Sequence, residues 1–161
     1  MINVLDTEQE TLWEAERGSF KEGYINGGTC CRNSFESTQS SLDPSEKVEL
    51  HLKLADKFLR EAEEFLAKGD YVQASERGWG VAAQMFKAVA AKENLELRSH
   101  ASLWEYLDKL AEKLQDVELR RLWWTANNLH QNFYESWMTP RDVKYAIEDV
   151  KKFAEKLKKL L

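Results

Sequence analysis

Both prolines of the 161-residue chain stand directly behind a side chain able to cap a helix, and this pairing constrains the fold more than any other feature. In Asp43-Pro44-Ser45-Glu46 the aspartate is an acceptor at the N-cap, the proline occupies the first helical position, where its missing N–H is not needed, and Glu46 falls at N3 to complete a capping box. Thr139-Pro140-Arg141-Asp142 repeats the cap-and-proline signal near the other end. No proline interrupts the hundred or so residues between them, where apolar side chains recur at helical spacing. With 32% charged residues and few turn formers, the chain is expected to be all-α.

The caps and stripes mark five helices. The first runs from Pro44 to Lys68 with Val48, Leu52, Ala55, Leu59, Ala62 and Leu66 inward, and Gly69 closes it. Asp70 caps the second, Tyr71 to Lys92. There Ala74, Gly78, Val81, Met85 and Ala88 form one apolar arc and Ser75, Trp79, Ala82, Phe86 and Val89 the next, so this helix can take two neighbours and should be central. Gly78 allows close approach; Gly80 points away from both arcs and implies either another backbone nearby or a tolerated cost of about 0.5–1 kcal/mol. A third helix, Ser99 to Leu114, turns Leu103, Leu107, Leu110 and Leu114 inward. Asp116 caps a fourth, Val117 to Ser136, with Leu119, Leu122, Ala126, Leu129 and Phe133 as its stripe, and the fifth carries Val143, Ile147, Val150, Ala154 and Leu157. Short connections predict antiparallel neighbours in an up-and-down bundle of four to five helices, spanning 44–161. Lys68-Gly69-Asp70-Tyr71 resembles the turn of a tetratricopeptide pair, but no second copy follows about 34 residues on, near Leu103 and Trp104.

Residues 1–43 differ from this body. They are rich in Gly, Ser, Thr and Asn and hold eight acids against three bases, and are expected to form a poorly ordered extension, whereas the remainder balances twenty acids with twenty bases. The net charge of -5 thus resides in the extension, and the body offers no bulk attraction to nucleic acid, leaving only local contacts. The lysines at 151, 152, 156, 158 and 159 suit a helix C-terminus. Cys30 and Cys31 are adjacent and alone, which supplies neither a disulfide framework nor a ligand set, so no metal and no cofactor is expected. No basic leader and no apolar run approaching a membrane span is present, and a cytoplasmic protein without membrane contact is expected.

The fourth helix holds the candidate site. Amides, an imidazole and a phenol crowd the run from Ala126 to Glu135, and Trp123, Asn127, His130 and Tyr134 share an arc about 60° wide at the edge of the apolar stripe. Such a row can stack a base and hydrogen-bond a ribose or phosphate, or pack against a neighbour with its polar atoms paired internally. Trp124 projects the opposite way beside Arg120, Asn128 and Gln131, a setting suited to the centre of an interface and hence to a homodimer.

Taken in order, Lys68-Gly69-Asp70 with Gln73-Ala74-Ser75-Glu76, Gly78-Trp79, Ala82-Ala83, Lys87-Ala88, Ser99-His100, Leu129-His130 and Asn132-Phe133-Tyr134-Glu135 resemble the archaeal PaREP repeat family, placed in the HEPN superfamily. The resemblance spans about Pro44 to Leu161 and implies an HEPN-like bundle that commonly dimerises. Active HEPN proteins are metal-independent endoribonucleases, often toxins or defence effectors, with an arginine followed by four to six residues and a histidine. An imidazole there takes the 2′-hydroxyl proton and a guanidinium holds the phosphate. For His130 the arginine positions hold Trp123, Trp124 and Thr125, for His100 Glu93, Asn94 and Leu95, and for His51 Pro44, Ser45 and Glu46. The expectation is therefore a non-catalytic module of toxin–antitoxin or defence type. It would bind a nucleotide, an RNA or a protein through Trp123, Asn127, His130 and Tyr134. An endoribonuclease with His130 as its catalytic base, helped by Arg98, Arg120 or Arg121 from elsewhere, is one alternative. A structural dimerisation module using Trp124, Arg120, Asn128 and Gln131 is the other.

Overall fold

The computed structural model describes residues 42–161, so the expected extension lies outside the described residues except for its last two positions. The described residues form five helices: α1 (Pro44–Lys68), α2 (Tyr71–Lys92), α3 (His100–Leu114), α4 (Val117–Glu135) and α5 (Pro140–Lys158), with no strand among them. Asp43 accepts from the Glu46 N–H and Glu46 returns a bond to the Asp43 N–H, both at 2.9 Å. Asp70, Asp116 and Thr139 cap α2, α4 and α5 through their side chains, and Gly69 ends α1 in the left-handed region at φ 76°. Ser99 is the N-cap of α3, and Ser136 closes α4 with φ 52°, one residue before the expected end.

Helix α2 packs against each of the other four helices. At its Gly78 side chains of both α4 and α5 press in: a methyl group there would sit 2.9 Å from Leu129 Cδ1 and nearer still to Ile147 Cδ1. Gly80 faces a side chain instead of a backbone, the ring of Phe58 on α1, whose Cδ2 would lie 2.9 Å from an added Cβ. α1 is covered on one side only, so Ala55 and Ala62 are buried while Val48, Leu52, Leu59 and Leu66 are half-buried. Leu114, expected inward, is exposed, because α3 ends where its neighbours no longer overlap it and Gln115 turns the chain.

Direction along the bundle can be read from paired contacts. His51 meets Gln84 and Glu61 meets Arg77, so α1 and α2 are antiparallel; Arg121 meets Asp149 and Asp116 meets Lys156, so α4 and α5 are antiparallel too. The α2–α3 pair departs from the expected alternation. Trp79 touches His100, Phe86 touches Tyr106 and Glu93 pairs with Lys113, a constant offset that makes α3 parallel to α2. The connector 93–99 makes this possible: Glu93 and Asn94 reverse the chain, Asn94 at φ 59°, and residues 95–99 then return beside α2 to the level of Trp79.

Candidate functional site on the α2–α3–α4 seam

Because α3 runs parallel to α2, its first residue lies beside the middle of the bundle instead of at the far end. His100 stands edge-on to His130 with ring centroids 5.0 Å apart, and edge-on to Trp79 at 5.3 Å. His130 is stacked on Trp79 at 4.9 Å and an interplanar angle of 26°, and Tyr134, one turn on, meets it edge-on at 5.2 Å. Glu76 of α2 approaches His130 Nδ1 through Oε2 at 3.2 Å. A carboxylate there selects the tautomer with the proton on Nδ1 and leaves Nε2 as an acceptor in the neutral ring. The His130 residue is 7% exposed, Glu76 and Asn127 are half-buried and Tyr134 is 41% exposed, so the row runs from interior to surface.

Trp123 does not belong to that gradient. Expected half-buried at the edge of α4, it is wholly enclosed by the rings of Phe86 (4.6 Å), Trp79 (4.9 Å), Trp104 (5.8 Å) and Phe153 (5.9 Å). The cause is tertiary: α2 and α5 supply Trp79, Phe86 and Phe153, and α3 closes the remaining edge with Trp104. The indole Nε1 of Trp123 is buried without an acceptor among the described residues.

Asn132 accounts for part of the polar crowding on α4. Its Nδ2 donates to Ser75 Oγ at 2.8 Å, its Oδ1 accepts from the Met138 N–H at 2.7 Å, and Ser75 Oγ donates to the Tyr71 carbonyl. This buried amide ties the end of α4 to α2 and to the turn before α5, a structural role. On the outer face, Trp124 is 56% exposed and leans edge-on against half-buried Trp104 at 5.0 Å, while Arg120 pairs with Asp108 of α3. Asn128 and Gln131 are half-buried beside them.

The arginines that could complete a nuclease site each meet a carboxylate. Arg98 pairs with Glu96, Arg120 with Asp108, and Arg121 with Asp149 at 3.0 Å. Arg120 also lies about 15 Å before His130 along the helix axis. Four of the five C-terminal lysines are likewise paired: Lys151 with Glu63 and Glu148, Lys152 with Asp149, Lys156 with Asp116 and Glu118, and Lys158 with Asp56. His51 is remote from this seam, bonded through Nδ1 to Gln84 Oε1 at 2.7 Å, and burial lowers its pKa.

Among the described residues no three His, Cys, Asp or Glu side chains are grouped for a metal ion, and no helix is long and apolar enough to cross a membrane. The Glu76–His130–His100 cluster escapes a reading of the sequence because two of its three members come from other helices. The order Glu76, Trp79 on one helix face was the available signal.

The model of the archaeal PaREP1/PaREP8 family matches residues 50–154. The chain is also similar to a protein from Sulfolobus solfataricus of known crystal structure, at 29% identity and a TM-score of 0.59, over 66% of this chain and 95% of that one. No functionally curated protein matches it.

Proposed function

The chain belongs to the archaeal PaREP1/PaREP8 family, and from that premise we propose that its bundle is an HEPN-like, non-catalytic RNA-binding module of toxin–antitoxin or defence type. The binding edge consists of Asn127, His130 and Tyr134 on α4, with Glu76 behind the imidazole. The supporting observation is the Glu76–His130 pair at 3.2 Å, set in a row that runs from the enclosed imidazole to the exposed phenol of Tyr134. Such groups hydrogen-bond ribose hydroxyls, base edges and phosphate oxygens. Trp123 is the floor of the site and not a stacking partner, since its ring is wholly enclosed. The reading is non-catalytic because the arginine positions of the motif before His130 hold Trp123, Trp124 and Thr125, so phosphoryl charge developing there lacks the cation that the motif supplies. Titration with nucleotides and short RNAs tests it: binding is expected, and Asn127→Ala or His130→Ala should abolish it. Absence of binding by the folded wild-type protein would remove the proposal.

One observation favours a second reading, a metal-independent endoribonuclease. The edge-on His100 ring gives His130 a second imidazole at 5.0 Å, so one could accept the 2′-hydroxyl proton and the other protonate the leaving 5′-oxygen. Cleavage of RNA in chelator by the wild type, lost in His130→Ala, would establish it; intact RNA under folding conditions refutes it.

A further inference from the structure

His130 is central to the proposed binding edge, yet it is 7% exposed, and Trp79, on which it is stacked, 4%. A ligand that reaches the imidazole has to displace something. The groups around it include Trp79 and Glu76 of α2, Tyr134 of its own helix, and His100, the first residue of α3, edge-on at 5.0 Å.

Trp79 lies in the core, whereas His100 belongs to a stretch that does not. From Glu93 to Ser102 no residue is fully buried, Leu97 packs against the core from its edge, and the anchored part of α3 begins at Leu103 and continues through Tyr106, Leu107 and Leu110. Much of the bonding here is internal: the side chains of Ser99 and Ser102 each accept the other's backbone N–H at 3.1 Å, and Arg98 pairs with Glu96. The stretch starts from a fixed point, since the Leu95 N–H donates to the Ala90 carbonyl at 2.9 Å. Across to α1 runs an ion pair, Lys47 Nζ to Glu96 Oε1 at 2.8 Å. Both side chains are partly exposed, so breaking it costs little.

We propose that residues 96–102, the end of the connector with the first turn of α3, form a gate over His130, latched by Lys47–Glu96 and turning about Leu103, and that RNA reaches the imidazole when the gate opens. The inference rests on the RNA-binding reading above and adds how the enclosed part of that site is reached. Opening unwinds one turn: it breaks the bonds from the Ser102 N–H to Ser99 Oγ and from the Leu103 N–H to the Ser99 carbonyl, and it carries His100 away from His130. With the closed form dominant, apparent affinity scales with the open fraction, so a change that raises this fraction several-fold tightens RNA by the same factor.

The test compares wild type, Glu96→Gln and Lys47→Gln as full chains. Amide hydrogen exchange resolved by NMR follows the gate, and anisotropy of a fluorescein-labelled oligouridylate follows binding. Loss of a partly exposed ion pair is worth about 2- to 5-fold in an equilibrium. Both variants should therefore speed exchange at Ser102 and Leu103 by that factor, leave Leu107 and Leu110 unchanged, and tighten RNA equally. The two substitutions change net charge in opposite directions, so a purely electrostatic effect would tighten RNA in Glu96→Gln and weaken it in Lys47→Gln; that pattern overturns the gate. Unchanged exchange at Ser102 and Leu103 with RNA still bound, or faster exchange with unaltered affinity, overturns the gate and leaves the RNA site standing. Exchange that rises equally at Leu107 and Leu110 shows general loosening and overturns it too. No RNA bound by the wild type or by either variant overturns both.

Discussion

Replacing Gly78 and Gly80 separately with alanine tests how tightly α2 is held at the centre of the bundle. Alanine gains about 0.5–1 kcal/mol over glycine within a helix, so the sign of each change depends on what the new methyl meets. At Gly78 it meets Leu129 Cδ1 at 2.9 Å and Ile147 Cδ1 closer still, and both side chains are fully buried, on different helices, with no free direction to move. Overpacking of this kind costs about 1–3 kcal/mol. The net expectation for Gly78→Ala is a loss of about 0.5–2 kcal/mol after the propensity gain is subtracted. At Gly80 the methyl meets Phe58 Cδ2 at 2.9 Å and Cε2 at 3.3 Å, but Phe58 is only half-buried, at the edge of the core and under Arg77, so its ring gives more easily than the enclosed Leu129 and Ile147. Gly80→Ala should be neutral or stabilising by up to about 1 kcal/mol. Urea denaturation of the three proteins, fitted with a common slope, measures both differences. A Gly78→Ala protein as stable as wild type, or a Gly80→Ala protein more damaged than Gly78→Ala, would refute the packing argument at α2.

Three further outcomes follow from particular contacts. Asn132→Ala removes an acceptor from the Met138 N–H and a donor from Ser75 Oγ in a buried place, so denaturation should show a loss of about 1–3 kcal/mol; a smaller loss would mean water fills the gap. His51, in contact with Gln84 and near Lys47 and Lys87, has its pKa lowered from 6.5, chiefly by burial. The unfolded chain therefore takes up a proton near pH 6.5 that the folded one declines, and stability should fall as pH drops below 6.5, levelling off beneath the folded value. Melting at several pH values should show this limb in wild type and its loss in His51→Gln, distinct from the decline below pH 4.5 as Glu96, held at about 2 by Lys47 and Arg98, is protonated. Glu76→Gln replaces the carboxylate at His130 Nδ1 with an amide that can donate or accept, so imidazole nitrogen shifts should report a mixture of tautomers; a ring still wholly protonated on Nδ1 would show that Glu76 does not set it.

The starts of all five helices agree to within a residue with their sequence signals because caps are local: Asp43, Asp70, Ser99, Asp116 and Thr139 need only their own next three residues to act. The direction of α3 is not a local property. Leu103, Leu107 and Leu110 make the same stripe whichever way the helix runs, and the seven residues of 93–99 are too many for a tight turn and return beside α2. The departures at the site trace largely to that one placement. A helical wheel puts Trp123 at the edge of α4, but α3 closes through Trp104 what α2 and α5 leave open there, so Trp123 becomes core. His100 acts as more than a residue at a helix start because α3 begins at the level of Trp79 and sets its ring against His130. Asn132 is the separate case, buried because Ser75 and the turn at Met138 close over it. An antiparallel α3 would have carried His100 to the opposite end of the bundle and Trp104 away from Trp124. The return of the chain over 93–99 therefore encloses Trp123, and it also sets His100 against His130 and Trp104 against Trp124.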